Sequence, residues 1–502
     1  MSSDYLTSLG ITSCLLYLTL AILIYFWLTS EKEPQNLPPT PGIELAFIGH
    51  LYLLKKNPRQ QFLRYTQTLG PIFRLKMGSW TTVVLNSFDV IKEATVKQGE
   101  YFSDRPNFEI LISKFPHLYD GIVMSSGARW KQIRTTSLAI LRSFGMGKNI
   151  MTEHIANEVA AYVKELESTK GRPINVKILT NMSVANVICS VIFGQRFEIT
   201  DPIFLRLIEM YDHVLGECAG INAVVVLPVL RHLPFDVLGY NKYASTVMEI
   251  NSVIKHLVQK VRDRSTNEAD NFVAAYVEEM KKAEQLGEST YLDEANLIGC
   301  IDNLFAAGTE TTSTTILWSL LYVLHNPETQ KKIFNEIMEH VGTDRAPNIY
   351  DKPKLKYLNA FIMETQRTTS LLPLSLPHAC NQDTVLLGFN IPKGTQILIN
   401  LDSVLRDEKI WGHPENFRPE RFLDEQGNLI KREELIPFSM GRRICLGESL
   451  AKMELFLFLS SMFQRFEFLP VDPDHLPTLN EIFGTTTAPN PYEIRCVDRQ
   501  KC

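Results

Sequence analysis

Residues 438–447 read Phe438-Ser439-Met440-Gly441-Arg442-Arg443-Ile444-Cys445-Leu446-Gly447, a cysteine in a glycine-punctuated loop that leads into a helix beginning near Gly447. Such a setting suits a metal-bound thiolate. The helix N-terminus and the loop's free N–H groups stabilise negative charge and are expected to lower the thiol pKa. Gly441 and Gly447 are expected to let backbone approach a flat ligand closely. A buried structural cysteine is the ordinary alternative for a free thiol. The other seven cysteines, at 14, 189, 218, 300, 380, 496 and 502, form no C-x-x-C pair and no Cys/His zinc spacing.

Other patterns are weaker in isolation. Ala307-Gly308-Thr309-Glu310-Thr311-Thr312 lies mid-way along an apolar run, where Thr-rich segments ordinarily serve helix packing. Glu364 and Arg367 stand at i, i+3 on one helix face, but Glu415 and Arg418 satisfy the same spacing. Only the first pair follows an amphipathic helix and precedes Pro373 and Pro377-His378. Trp130 and Arg134 put an indole N–H and a guanidinium at i, i+4.

The elements that must position these residues are mostly helical. Periodicity of 3–4 predicts helices over 150–166, 247–261, 294–324, 354–367 and 447–465. Strand signals cover 72–77, 81–86, 384–391 and 396–400, so the class is mainly α with minor β. The 502 residues carry 51 basic and 56 acidic side chains, a net charge of −5, with 45% hydrophobic residues. That composition excludes a disordered or collagenous chain and offers no reason to expect nucleic acid. Cysteine is too sparse for a disulfide scaffold.

Residues 11–28 are uncharged and would span ~27 Å as a helix, close to a bilayer core. The flanks favour an uncleaved anchor (residues 1–30) over a cleaved signal peptide. Residues 37–42, LPPTPG, form a Pro-rich hinge, either a plain linker or a rigid spacer, and 31–502 then read as one domain. Residues 221–230 are apolar but too short to span, and read equally as core or as a loop dipping into the membrane interface.

FSMGRRICLG resembles the haem-binding loop of the cytochrome P-450 monooxygenases, of the animal microsomal type that handles steroids, fatty acids and foreign compounds. The resemblance extends over essentially the whole chain and implies the P-450 fold, a single large helical haem domain behind an N-terminal transmembrane helix. It implies that Cys445 is the proximal ligand of haem b. Phe438, Gly441, Gly447 and Ala307 would flank the haem, and Trp130, Arg134, His378 and Arg443 would meet its propionates. Glu310 would relay protons and Thr311 would hold bound oxygen. Glu364, Arg367 and Arg421 would form a buried structural network. Phe108, Phe115, Phe305, Leu372 and Phe483 would wall an apolar substrate pocket.

The implied reaction inserts one atom of O2 into a lipophilic substrate with NADPH electrons delivered by a flavoprotein reductase. Cytochrome b5 and membrane lipid are further implied partners. Lys131, Arg142, Lys148 and Lys452 would form part of the reductase dock. Xenobiotic detoxification is the first expectation and an endogenous steroid or fatty acid the second. A reductase-independent isomerase would not need Glu310 and Thr311, and neither would a haem sensor. The implied location is the endoplasmic reticulum membrane, single-pass, with the domain facing the cytosol. The hinge lacks the usual following Pro-Asn, and no basic cluster follows the anchor.

Overall fold

The computed structural model describes residues 34–499, apart from 46, 55–56, 146–148, 217, 265–269 and 288, together with residues 13, 17, 20 and 21. The expected anchor over 11–28 therefore lies largely outside the described residues. Among those that are described, no helix is long and apolar enough to cross a membrane.

The helices that matter for the site are α1 (Gly127–Ser143), α2 (Asn149–Ser168), α3 (Lys177–Phe193), α4 (Pro202–Gly216), α5 (Tyr240–Arg264), α6 (Glu294–His325), α7 (Pro327–His340), α8 (Lys356–Thr369) and α9 (Glu448–Arg465). The central one is α6, 32 residues or ~48 Å long. Asp293 caps it by accepting the Asn296 N–H at 2.8 Å, and Asn326-Pro327 ends it. From Thr312 to Leu324 every residue is buried, as expected of a helix that is core on all sides. Several of its Ser and Thr hydroxyls fold back onto carbonyls one turn earlier, such as Ser313 to Thr309 at 2.8 Å and Ser319 to Thr315 at 2.9 Å, so the core accepts them. Around α6 pack α3, α5, α8 and α9, which share one large apolar core.

A smaller sheet sits at one side, in the order β1 (Ile72–Met77), β2 (Trp80–Leu85), β7 (Gln396–Ile399), β4 (His378–Ala379). The β2/β7 pair is parallel and the flanking pairs antiparallel. Register fixes His378 opposite Ile397. Strand β3 (Pro173–Ile174) pairs with β11 (Ile494–Asp498), which pairs with β8 (Phe466–Pro470).

The segment 384–391, expected as one strand, is a hairpin of β5 (Thr384–Leu386) and β6 (Phe389–Ile391). Leu387 and Gly388 take φ of 52° and 85°, the twist of a two-residue hairpin turn, and so reverse the chain. A last hairpin joins β9 (Glu481–Phe483) to β10 (Thr487–Pro489), with Phe483 opposite Thr487.

Candidate functional site

The cysteine loop is closed by the Cys445 N–H donating to the Phe438 carbonyl at 3.0 Å. Gly441 has φ 77°, and a Cβ there would lie 2.0 Å from the Thr95 carbonyl oxygen. Its lack of a side chain thus admits protein backbone, where the sequence suggested a flat ligand. Thr95 is held out by a π-helical turn, Glu93–Lys97. Gly447 precedes the first residue of α9, and a Cβ on it would meet only Cys445 Sγ, at 4.0 Å.

Among the described cysteines Cys445 alone is exposed, while Cys189, Cys300, Cys380 and Cys496 are buried. Protein nonetheless crowds its sulfur, and this burial raises the thiol pKa against the lowering effects of the Gly447 N–H, Arg134 and the Glu448 N–H. The helix-terminal N–H groups do lower it, as expected, but burial outweighs them and the net shift is upward. A thiolate here needs further positive charge, as a bound metal would provide.

Beside the loop lies a cluster of cations. Trp130 and Arg134 project from α1. Arg134 Nη2 donates to the Ile444 carbonyl at 2.6 Å, next to the cysteine. The Arg443 guanidinium stacks 3.9 Å from the Trp130 ring centroid and donates to the carbonyls of Ser103 at 2.7 Å, Ile122 at 3.1 Å and Ser125 at 2.5 Å. Arg105 joins them through Val123 at 2.9 Å and Pro377 at 2.7 Å. Burial and mutual repulsion pull Arg443 down to about 8 and Arg105 to about 10; Asp104 only partly offsets the first.

No carboxylate forms an ion pair with these three arginines among the described residues, and the buried Trp130 Nε1–H has no acceptor. His378 Nδ1 donates to the Phe102 carbonyl at 2.7 Å, and burial beside Arg105 holds its pKa well below the usual range. Cations without anions and an orphaned donor, beside the one exposed cysteine among those described, fit a haem with its carboxylates. Sequence reasoning missed Arg105 as a member of this cluster: a single Arg between Asp104 and Pro106 carries no periodic signal.

Helix α6 connects to the same cluster. Asn303 Oδ1 accepts the Ile122 and Val123 N–H groups at 2.9 and 2.8 Å, and the carbonyls of those two residues accept from Arg443. Four residues on, Ala307 is exposed within the fold, and its carbonyl accepts the Thr311 hydroxyl at 2.7 Å. Gly308 is needed for packing, since a Cβ would come within 2.5 Å of Ile188. Glu310 is half-buried, with its carboxyl held by the Thr314 and Thr486 hydroxyls. Burial and Asp212 raise its pKa, partly opposed by Thr314, Lys177 and Thr486.

The structure brings Glu364, Arg367 and Arg421 together at 0–4% exposure. Arg367 grips both Glu364 oxygens, at 2.7 and 2.9 Å, and Arg421 Nε adds a third bond at 2.9 Å. Their remaining N–H groups go to the carbonyls of Leu405, Trp411, Pro414 and Asn416. The competing Glu415 and Arg418 side chains lie outside this network on exposed residues.

The expected pocket residues divide. Phe108, Leu372 and Phe483 keep partial exposure. Phe305 is fully buried and its ring packs on Phe204 and Tyr211, so it belongs to the core at that point rather than to a pocket wall. Phe115, 2% exposed, packs on His117 and Tyr243 in the same way. Lys131, Arg142 and Lys452 are exposed, the last paired with Glu448; Lys148 lies outside the described residues.

The Cytochrome P450 family model matches residues 38–496. Cytochrome P450 2U1 of Mus musculus is 36% identical over 96% of this chain and 94% of its own length. Cytochrome P450 2B19 of Mus musculus is 36% identical over 97% and 99%, and Cytochrome P450 2C23 of Rattus norvegicus 35% over 98% and 99%. These relatives are of the animal microsomal kind, which works with a redox partner such as a reductase, takes lipophilic substrates and associates with the endoplasmic reticulum membrane. With its cysteine loop, its unneutralised arginines and a match along nearly its full length, this chain belongs to the cytochrome P450 family and is a haem-thiolate monooxygenase using O2 and NADPH-derived electrons.

Proposed function

We propose that Cys445 ligates the haem iron and that Trp130, Arg134, Arg443, His378 and Arg105 hold the haem carboxylates. The observation that carries this reading is the cluster of buried guanidiniums and an indole N–H without anionic partners, next to the one exposed cysteine among those described. Neutral His378 uses its only proton on Phe102, so it can donate to an anion through Nε2 only after gaining a second proton, which the anion itself favours.

Bound haem supplies the one-electron and oxygen chemistry; the chain supplies protons and orientation. Burial keeps Glu310 protonated to higher pH than an ordinary carboxyl, the direction that suits a proton donor. The Thr311 hydroxyl already donates to Ala307, which leaves its oxygen oriented to accept. Replacing Cys445 with Ser should abolish the carbon monoxide difference band of the reduced protein; persistence of that band with the same position and intensity would disprove the ligand assignment.

The substrate is lipophilic, with a foreign compound as the first reading and an endogenous steroid or fatty acid as the second; Phe108, Leu372 and Phe483 give the pocket its apolar surface. Cytochrome b5 is proposed as a second electron donor. A single-pass anchor before the hinge, with the domain on the cytosolic side, is proposed; an apolar ridge supports contact of the domain with a membrane. Val229 is 71%, Phe235 98% and Val237 71% exposed, and Ile43 near the hinge is 76% exposed. Gly78 lies between them: its N–H donates to the Ile48 carbonyl at 3.4 Å, and a Cβ on it would sit 2.9 Å from the Val226 carbonyl. A substrate-binding spectral screen of steroids, fatty acids and drug-like compounds separates the substrate readings.

A further inference from the structure

The β9–β10 hairpin touches three walls of the interior through a three-residue loop, Gly484-Thr485-Thr486. Thr485 N–H donates to Leu215 on α4 at 3.1 Å. Gly484 lies so close to α4 that a Cβ would sit 2.9 Å from the Gly216 carbonyl. Thr487 N–H donates to Leu371 at 2.9 Å, and its carbonyl accepts Trp318 Nε1 of α6 at 2.9 Å. Between these anchors the buried Thr486 hydroxyl donates to Glu310 Oε1 at 3.1 Å. Thr314, one turn along α6, donates to the same oxygen at 3.1 Å.

The two donors differ in what they can report. Thr314 rides on the same helix as Glu310. Thr486 comes from a loop bounded by Phe483 and Thr487, which stand opposite each other in the hairpin. Partly exposed Phe483 is one of the residues proposed to wall the pocket, and Leu372, another, follows the residue that anchors Thr487. A ligand that displaces Phe483 must therefore act on a loop whose side-chain bond ends on Glu310.

We propose that Thr486 is a positioning residue that ties the Glu310 carboxyl to the substrate-facing hairpin, so that proton delivery depends on how the hairpin is seated. This rests on the reading of Glu310 as proton donor. Loss of one hydrogen bond to a buried carboxyl corresponds to an effect on the order of five-fold.

The test uses the full-length holoenzyme with reductase and NADPH, with and without 7-ethoxycoumarin as probe, and reads hydrogen peroxide released per NADPH consumed. Thr486→Val should raise that yield about five-fold, with its carbon monoxide spectrum unchanged. Thr486→Ser should restore the parent value, which a merely packing role for the methyl group would not predict. In a Glu310→Gln background Thr486→Val should add nothing. If Glu310→Gln raises the yield and Thr486→Val does not, the positioning role is overturned and the proton reading stands. Full additivity of the two changes overturns it as well. If Glu310→Gln itself leaves the yield unchanged, the proton reading fails and takes the proposal with it. Should Thr486→Val lose haem, Thr486→Ala against Thr486→Ser makes the same comparison.

Discussion

Two buried charge clusters in this molecule have opposite accounts. Around Glu364, two arginines share one carboxylate, and their other N–H groups reach main-chain carbonyls. Around Trp130, three arginines converge with no ion pair among the described residues, and the indole N–H bonds to nothing. The first cluster is complete as protein. The second lacks a counter-charge among the described residues, which the proposed haem carboxylates would supply. Burial alone does not tell structure from function; the balance of charge and hydrogen bonds does.

The comparison breaks most sharply at Glu364. Glu364→Ala leaves Arg367 and Arg421 buried without a counter-charge and should cost about 3–5 kcal/mol, lowering the folded yield with or without haem. Thermal unfolding of apo and holo protein reads this, and a loss confined to the holo form would contradict it. At Trp130 the expected pattern reverses. Trp130→Phe removes the orphaned donor, so the apoprotein should lose little from polar terms, whereas haem should bind weaker by about 1–3 kcal/mol. The rate of haem transfer to an acceptor apoprotein measures the difference; equal rates would show that the indole N–H does not meet the ligand.

The effect that vanishes at low pH concerns Glu454 on α9, buried and bonded to the Thr312 hydroxyl at 3.1 Å. Burial pushes its pKa up to about 8. Its folded pKa exceeds the unfolded one, so its neutral form favours folding at low pH, and stability falls as pH rises from about 4.5 toward 8. Glu454→Gln keeps the bond to Thr312 and cannot ionise. It should therefore gain on the parent as pH rises through 7 to 9, by at most about 5 kcal/mol (the rise from 4.5 to about 8, at about 1.36 kcal/mol per pH unit), and the two should converge toward pH 5. Parallel melting curves across that range would reject the idea.

How much of this was legible beforehand depends on sequence distance. Trp130 and Arg134 are four residues apart on one helix, so their shared face follows from helical geometry alone. Cys445 is announced by its own loop. Arg105 could not be found that way: its partners are Val123, Pro377 and Arg443, and only the fold assembles them. The same holds for Phe305, which stands on α6 among proposed site residues yet faces Phe204 and Tyr211. Local signals were also misread where two effects compete. Helix-terminal N–H groups do oppose the rise of the Cys445 pKa, but burial is larger, and sequence shows only the first. At 384–391 the β-favouring composition hid a reversal at Leu387-Gly388.

The contact between Gly441 and the Thr95 carbonyl also orders events in time. The seat of the cysteine loop is made by residues 93–97, about 350 positions earlier. At ribosomal rates of roughly 5–20 residues per second, that seat leaves the ribosome about 20–70 s before the loop that closes on it. If Cys445 ligates the haem as proposed, capture of the prosthetic group is a closing step of biogenesis, performed on a chain whose amino-terminal half has already had time to fold.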